Sequence, residues 1–374
     1  MINFSIIASA VMFCLNLFSF VCLFYRIDFL KKWRWVIAAL LIVITILEAY
    51  YFLSFRRSGG SVFLLQAAAS LVGVSFLLFF SSLLYFILRI PLHVIHFSES
   101  RRRALKSILD ITILIAAFSW IFKGFVGGFS KPIKRSVEVK IKNLKAPLSI
   151  AQITDVHIGK VLGLDFMREV VRLTNELDAD IVVITGDLVD LAPKYAKEKL
   201  EPLRDLKSRF GVYYVLGNHE YFNGDVEKVI KLIQDFGIKV LENESVVVDG
   251  KINLAGIYDL RGDSFGYFKP NIKKALKNTN KNLPTVLLSH QPKVVRRISD
   301  EDNVDLIVSG HTHGGQIFPF GLFVLIDQPY LYGLYQHSQK TQIFVSSGTG
   351  YWGPPLRVLA PSEIVKLELK RKEE

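Results

Sequence analysis

Cysteine is nearly absent: the 374 residues hold two, Cys14 and Cys22, both inside one apolar stretch near the N-terminus. This excludes a disulfide framework and a thiolate metal site from the rest of the chain. The same stretch lacks the basic leading segment and the small-residue cleavage site of a secretory signal. Charge is missing from long runs. Residues 2–25 and 61–88 carry none, and 35–55 is interrupted only by Glu48. Each run is long enough to cross a bilayer core as a helix. A fourth run, 107–127, has Asp110 and Lys123 near its ends, where side chains can reach the interface.

Basic residues are in excess, at a formal net charge of +12, and residues 1–128 hold 12 Lys/Arg against 4 Asp/Glu. The excess sits in short loops between apolar runs, so it reads as membrane topology and no nucleic-acid partner is expected. Arg26, Lys31, Lys32 and Arg34 in the first loop, and Arg89, Arg101, Arg102, Arg103 and Lys106 in the third, outweigh Arg56 and Arg57 in the second. Loops one and three are therefore expected in the cytoplasm and the C-terminal half outside. The basic residues Lys131, Lys134, Arg135, Lys140, Lys142 and Lys145 oppose that orientation. Glu48 reads as an interhelical hydrogen bond or an interfacial side chain in preference to a proton relay. His93 and His96 read as interfacial side chains in preference to metal ligands.

From about residue 136 the pattern changes. Short β-branched runs at 149–154, 181–185, 212–216, 285–289 and 306–309 predict buried strands. Amphipathic stretches at 165–177, 195–208 and 225–236 predict helices. The alternation implies an α/β fold with largely parallel strands, and hairpin-rich stretches at 245–257 and 341–369 predict a second sheet packed on the first. The expected domains are 1–128, a transmembrane helical bundle; 129–148, a linker and first strand; and 149–374, a catalytic domain.

Metal-ligand side chains stand just beyond these strands: Asp155-x-His157, Gly186-Asp187-x-x-Asp190, Gly217-Asn218-His219-Glu220, His290, and Gly310-His311-x-His313. Five of the eight histidines fall in these motifs. In open α/β sheets functional groups gather at the carboxyl ends of strands. A carboxylate such as Asp187 can give one oxygen to each of two ions. Mixed nitrogen and oxygen donors suit Mn, Fe, Zn or Ni better than Ca or Mg. Two cations sharing a carboxylate can hold a bridging hydroxide for attack at phosphorus.

The ordered motifs DVH, GDLVD, GNHE, SH and GHTHGGQ resemble the calcineurin-like metallophosphoesterase superfamily across about residues 149–350. The tail GTGYWGPPLR, ending at Arg357, is similar to its membrane-associated YkuE/YaeI-like branch in bacteria. The resemblance implies an αββα sandwich of two packed sheets flanked by helices, here preceded by the all-α bundle. It implies that Asp155, His157, Asp187 and His313 bind a first divalent ion and that Asp187, Asn218, His290 and His311 bind a second. His219 is then the general acid, oriented by Asp190. The protein phosphatases of the superfamily carry an arginine directly after their second aspartate. Leu191 stands there, which disfavours that activity.

Arg357 is the best sequence candidate for a phosphate clamp, with a solvated surface arginine the alternative; Tyr351 and Trp352 line an apolar pocket or pack. Gly314 and Gly315 are expected to let the chain turn, Arg261-Gly262-Asp263 is expected to be an ordinary turn, and 370–374 a disordered end. The expected function is hydrolysis of a phosphodiester or pyrophosphate at a bilayer, and the short stretch 128–137 favours lipid-linked substrates. The superfamily also includes UDP-diacylglucosamine pyrophosphatases, whose cytoplasmic action conflicts with the orientation read from the loops. A non-catalytic receptor module on the same fold is the alternative, and a transporter with a hydrolase appendage is a third, weaker one.

Overall fold

The computed structural model describes residues 2–54 and 61–372, without the side chains of residues 2 and 3. Arg56 and Arg57, on which the reading of the second loop rests, and Glu373 and Glu374 lie outside the described residues. The chain divides into two units, Met1–Phe129 with Gly353–Val358, and Ser130–Trp352 with Leu359–Glu374.

In the first unit the apolar runs become α1 (Ile2–Ser19), α2 (Arg34–Ser54), α3 (Val62–Val94) and α4 (Glu99–Phe129). Among the described residues, four helical stretches, Phe4–Phe24, Asp28–Ser54, Val62–Val94 and Glu99–Phe129, are long and apolar enough to cross a membrane. The last two exceed the predicted 61–88 and 107–127. At 1.5 Å per residue they are about 45–50 Å long, well beyond a ~30 Å hydrocarbon core. Arg89 and Arg101–Lys106 therefore lie on helical extensions, and the third loop shrinks to 95–98. Lys106 Nζ pairs with Asp28 at 2.5 Å and with Asp110 at 3.1 Å, so the first and third loops meet on one side of the bundle.

Glu48 is fully buried, and Asn16 Nδ2 donates to its Oε2 at 2.8 Å and to Thr45 Oγ1 at 2.9 Å. The interhelical hydrogen bond is the correct reading. His93 lies in the last turn of α3 while His96 lies beyond it, and both are exposed. The 353–358 segment packs between α3 and α4. A Cβ on Gly73 would stand 2.9 Å from Leu356 Cδ1, and one on Gly124 3.1 Å from Leu356 Cδ2.

In the second unit the elements run β1 (Ile133–Ile141), β2 (Leu148–Ile153), α5 (Leu164–Asn175), β3 (Ile181–Thr185), α6 (Pro193–Leu200), β4 (Val212–Val215), α7 (Asn218–Phe222), α8 (Val226–Asp235), β5 (Lys239–Val240), β6 (Glu244–Val248), β7 (Ile252–Gly256), α9 (Arg261–Phe265), α10 (Ile272–Leu276), β8 (Thr285–Leu288), β9 (Leu306–Ser309), α11 (Gly321–Asp327), β10 (Gly333–Gln336), β11 (Gln342–Val345) and β12 (Glu363–Arg371). They form two mixed six-stranded sheets, β1-β12-β2-β3-β4-β5 and β10-β11-β9-β8-β7-β6.

Strand β3 shows why the layers stack. Ile181 and Val183 point into an inner core with Leu254, Val286 and Val308 of the second sheet. Val182 and Ile184 point outward, into a core with Met167 and Val170 of α5 and Val229 and Ile233 of α8. Both faces are covered, so the strand reads as continuous apolar sequence. The second sheet buries Ala255, Leu287 and Ile307 against Leu260, Ala275 and Val294 on its outer side.

Three expectations are corrected. The helix expected over 195–208 breaks at Leu200 into a 3₁₀ turn, Glu201–Asp205, because Pro202 has no N–H to continue the ladder. The stretch 341–369 does not belong to one sheet: β11 joins the second, whereas β12 inserts between β1 and β2 of the first. Lys370 and Arg371 are ordered in β12, with Lys370 Nζ 2.7 Å from Glu138 Oε2, so the disordered end does not begin there.

Candidate metal centre

The predicted metal ligands converge where β2, β3, β8 and β9 end and α7 begins. Three overlapping groups of donors form: Asp155, His157 and His313; His157, Asp187 and His219; Asp187, His290 and His311. Asn218 Oδ1 joins the last, 3.2 Å from His290 Nε2.

The backbone is bent to bring them together. Asp155, His157, Asp187, His311 and His313 all have positive φ, between 48° and 72°. For a residue with a Cβ this conformation costs about 1 kcal/mol or more, and such strain gathers at functional sites. Gly186, just before Asp187, has φ 86°, and a Cβ there would stand 2.6 Å from Gly217 Cα and 2.7 Å from His290 Nδ1. Only glycine lets those two loops close.

Hydrogen bonds then fix each donor. The His311 N–H donates to both Asp155 oxygens (3.0 and 2.9 Å), and Thr154 Oγ1 donates to Oδ2 at 2.8 Å. The His219 N–H donates to Asp187 Oδ1 at 2.8 Å. Asp187 Oδ2 faces His290 Nε2 at 3.2 Å and the Nε2 atoms of His157 and His219 at 3.9 Å. Oδ1 thus accepts from an amide, and Oδ2 faces imidazoles of both donor sets.

The donor set can hold cations. His290 Nδ1 stands 2.8 Å from the Thr185 carbonyl, which only accepts, so Nδ1 carries the proton. In the neutral ring Nε2 then presents a lone pair to Asn218 Oδ1, Asp187 Oδ2 and His311 Nδ1, each at 3.2 Å. His157 Nδ1 is 2.9 Å from Asp190 Oδ1, which leaves its Nε2 3.0 Å from His313 Nε2. Facing nitrogens this close are relieved by a proton on one of them, on His311 Nδ1, His313 Nε2 or a charged His290, or by a metal ion shared among them. Divalent metal ions suit such a nitrogen and carboxylate set.

Asp190 Oδ1 also lies 2.7 Å from His219 Nδ1, so one carboxylate oxygen orients two imidazoles where only His219 was expected. On protein charges alone, burial would lower the His219 pKa, but Asp187 and Asp190 outweigh it and raise it to about 9. Burial likewise fails to raise Asp190, which His157 and His219 hold below the usual carboxylate range. Burial does prevail at Asp155, whose pKa it raises. At His311, burial and then the neighbouring His290 push the pKa down to about 3, keeping that imidazole a neutral donor.

One supporting residue went unassigned in the sequence reading. Glu220 is fully buried and accepts from the amides of Gly217 (2.7 Å), Leu188 (2.8 Å) and Asp187 (3.2 Å), tying the loops after β3 and β4 together. Its place in Gly-Asn-His-Glu, three residues after the glycine that precedes α7, was the available signal.

The remaining expectations divide. Tyr351 is buried, whereas Trp352 is exposed at the rim, its ring 6.0 Å from that of His219. Arg357 is buried, its backbone N–H donating to Gly124 O at 2.9 Å, which rules out a solvated surface arginine. Leu191 packs against the α5–α8 core. Gly314 and Gly315 turn the chain with φ 60° and 79°. Arg261-Gly262-Asp263 starts the short helix α9 instead of a turn, with Asp263 paired to Arg297 at 2.7 Å.

Residues 148–315 match the family model for calcineurin-like phosphoesterases. An uncharacterized metallophosphoesterase of Helicobacter pylori is 40% identical over 96% of this chain and 96% of its own. The chain belongs to the calcineurin-like metallophosphoesterases. Metallophosphoesterase YkuE of Bacillus subtilis is 30% identical over 72% of this chain and 98% of its own. A transmembrane protein with metallophosphoesterase domain from Danio rerio is 34% identical over 70% of this chain and 62% of its own. This metallophosphoesterase is a metal-dependent phosphoester hydrolase, and its apolar helices make it membrane-associated. The receptor reading needs missing ligands, and every expected ligand residue is present.

Proposed function

We propose that this metallophosphoesterase hydrolyses a phosphodiester or pyrophosphate, lipid-linked ones included, at a dinuclear centre in a bacterial cell membrane. The observation that carries the reading is the meeting of two donor sets at Asp187 Oδ2. Asp155, His157, Asp187 and His313 would hold one divalent ion, and Asp187, Asn218, His290 and His311 would hold the other, with Mn, Fe, Zn or Ni as the fitting metals. When bound, the pair supplies Lewis-acid polarisation of the phosphoryl oxygens and a water activated near neutral pH.

The protein's own groups do the rest. Asp190 holds His219 Nδ1 at 2.7 Å, so Nε2 faces the centre. The carboxylates beside His219 favour its protonated form, and that proton goes to the departing alkoxide. Trp352 and Phe222, with rings 6.0 and 5.6 Å from His219, wall the leaving-group side. Leu191 offers no charge for a phosphate clamp, which argues against phosphoprotein substrates. The basic first and third loops favour an extracytoplasmic position for the centre.

The test uses full-length protein stripped of metal and reloaded with Mn²⁺. Turnover is expected on a bis-aryl phosphate above that on an aryl phosphate, and on phospholipid substrates, and it should vanish with a chelator. Asp187→Asn should lower metal content at both sites and abolish turnover, a larger effect than Asn218→Ala, which touches one site. An Asp187→Asn protein that keeps two ions per chain and a near-normal rate overturns the proposal.

A further inference from the structure

Beside the metal centre the chain runs ten residues, 317–326 (Ile-Phe-Pro-Phe-Gly-Leu-Phe-Val-Leu-Ile), without a charged or polar side chain. The second part of this run is α11. Leu322, Phe323 and Ile326 are 64%, 51% and 78% exposed, and Leu325 is exposed with them. Clustered apolar exposure on a folded unit marks a membrane or partner surface.

The segment stands on a fixed base. Gln316 exchanges two hydrogen bonds of 2.9 Å with the main chain of Trp352, the residue beside His219. Thr312 Oγ1 donates to Leu331 O at 2.6 Å. Tyr332 bonds to Arg135 of β1, whose guanidinium lies 4.8 Å from its ring centre. The exposed side chains thus project from a loop pinned to the His313 turn at one end and to β1 at the other.

The chain itself indicates what covers them. Ile133 pairs with Glu363 and Val365 pairs with Gln152, so β1 begins level with Thr154, at the edge of the sheet that carries Asp155. Only residues 130–132 separate Ile133 from Phe129, the last residue of α4. Those few peptide steps span about 14 Å at most. The apolar helix α4 is therefore joined through a few residues to the strand that begins level with the metal-bearing end of the sheet, and the loop carrying the exposed side chains is pinned to that same strand.

We infer that the 317–326 segment is an interfacial anchor, with Leu322, Phe323 and Ile326 seated at the boundary between lipid headgroups and acyl chains. Seated there, it presents the metal centre to amphiphilic phosphoesters whose apolar part stays in the bilayer. The substrate half of this inference rests on the proposed hydrolysis; the insertion itself does not.

The experiment places a single polarity-sensitive fluorophore on full-length Cys14→Ser/Cys22→Ser protein, at Ile326→Cys or at Lys281→Cys. Lys281 is exposed in the loop before β8, at the edge opposite His290. Both proteins go into phosphatidylcholine/phosphatidylglycerol nanodiscs, with or without bromine on the acyl chains. Emission from position 326 should be blue-shifted and quenched by the bromines, while position 281 stays unquenched. Equal behaviour at the two positions, or contact of position 326 with a second copy in place of lipid, overturns the inference.

A Leu322→Ser/Ile326→Ser variant separates insertion from chemistry. It should lose about tenfold or more on an acyl-chain-bearing aryl phosphodiester in the nanodisc, with turnover of water-soluble bis-aryl phosphate unchanged. Equal loss on both substrates, or loss on neither, overturns the substrate half. Absence of turnover in the parent protein defeats the proposed hydrolysis and leaves the quenching result to decide the anchor.

Discussion

Asp190 holds two imidazoles through a single oxygen, His157 at 2.9 Å and His219 at 2.7 Å. In the proposed mechanism one ring belongs to the donor set for the first ion and the other faces the leaving group, so removing the charge should act on both. Asp190→Asn is expected to weaken metal affinity about 10–100-fold, as loss of a carboxylate behind a ligating histidine does elsewhere, and also to slow turnover at saturating metal. His219→Ala should instead keep both ions and slow substrates with poor leaving groups by about 10²–10⁴-fold, with a smaller loss on an activated aryl ester. Metal titration alongside rates on a leaving-group series separates the two variants. Normal metal affinity in Asp190→Asn would show that its contact with His157 carries no weight. The individual donors were legible in the sequence because each motif supplies its own ligands at a strand end. The double duty of Asp190 was not, because His157 and His219 meet only through the adjacency of β2, β3 and β4.

At the scale of elements, the site depends on loops being held at positive φ, and Glu220 does much of the holding from the third position of α7. Glu220→Gln keeps one accepting oxygen but turns an NH₂ group toward buried backbone N–H donors. The expected cost is about 1–3 kcal/mol of stability, read as a lower midpoint in thermal unfolding of the chelated protein. An unchanged midpoint would mean the loops are fixed by packing alone. The local periodicity that predicted β2, β3, β4, β8 and β9 has no bearing on strand partners, and this is why β12 was assigned to the wrong sheet. Its pairing with β1 and β2 joins segments far apart in sequence. Helix ends were misjudged for a related reason. Hydropathy marks where the hydrocarbon would end, whereas intrahelical hydrogen bonds carry α3 on to Val94 and α4 back to Glu99.

For the whole molecule, the charges of the loops decide which face of the membrane is expected to carry the metal centre. The ion pairs of Lys106 with Asp28 and Asp110 bring the first and third loops to one side, as four alternating spans require. Those loops hold nine basic residues, Arg26, Lys31, Lys32, Arg34, Arg89, Arg101, Arg102, Arg103 and Lys106, and by the positive-inside rule they are expected in the cytoplasm. The competing basic residues, Lys131 to Lys145, lie just before, in and just after β1, at the start of a long folded unit where the rule weakens. A reporter active only outside the cytoplasm, fused after Glu374, should therefore give signal, and the same reporter inserted near Arg102 should be silent. The reverse pattern would mean that β1 and its flanks set the orientation, or that α4 fails to cross. It would also move the expected substrates from exported lipid phosphoesters to the nucleotide-linked lipids made in the cytoplasm, since an interfacial active site samples only the leaflet it faces.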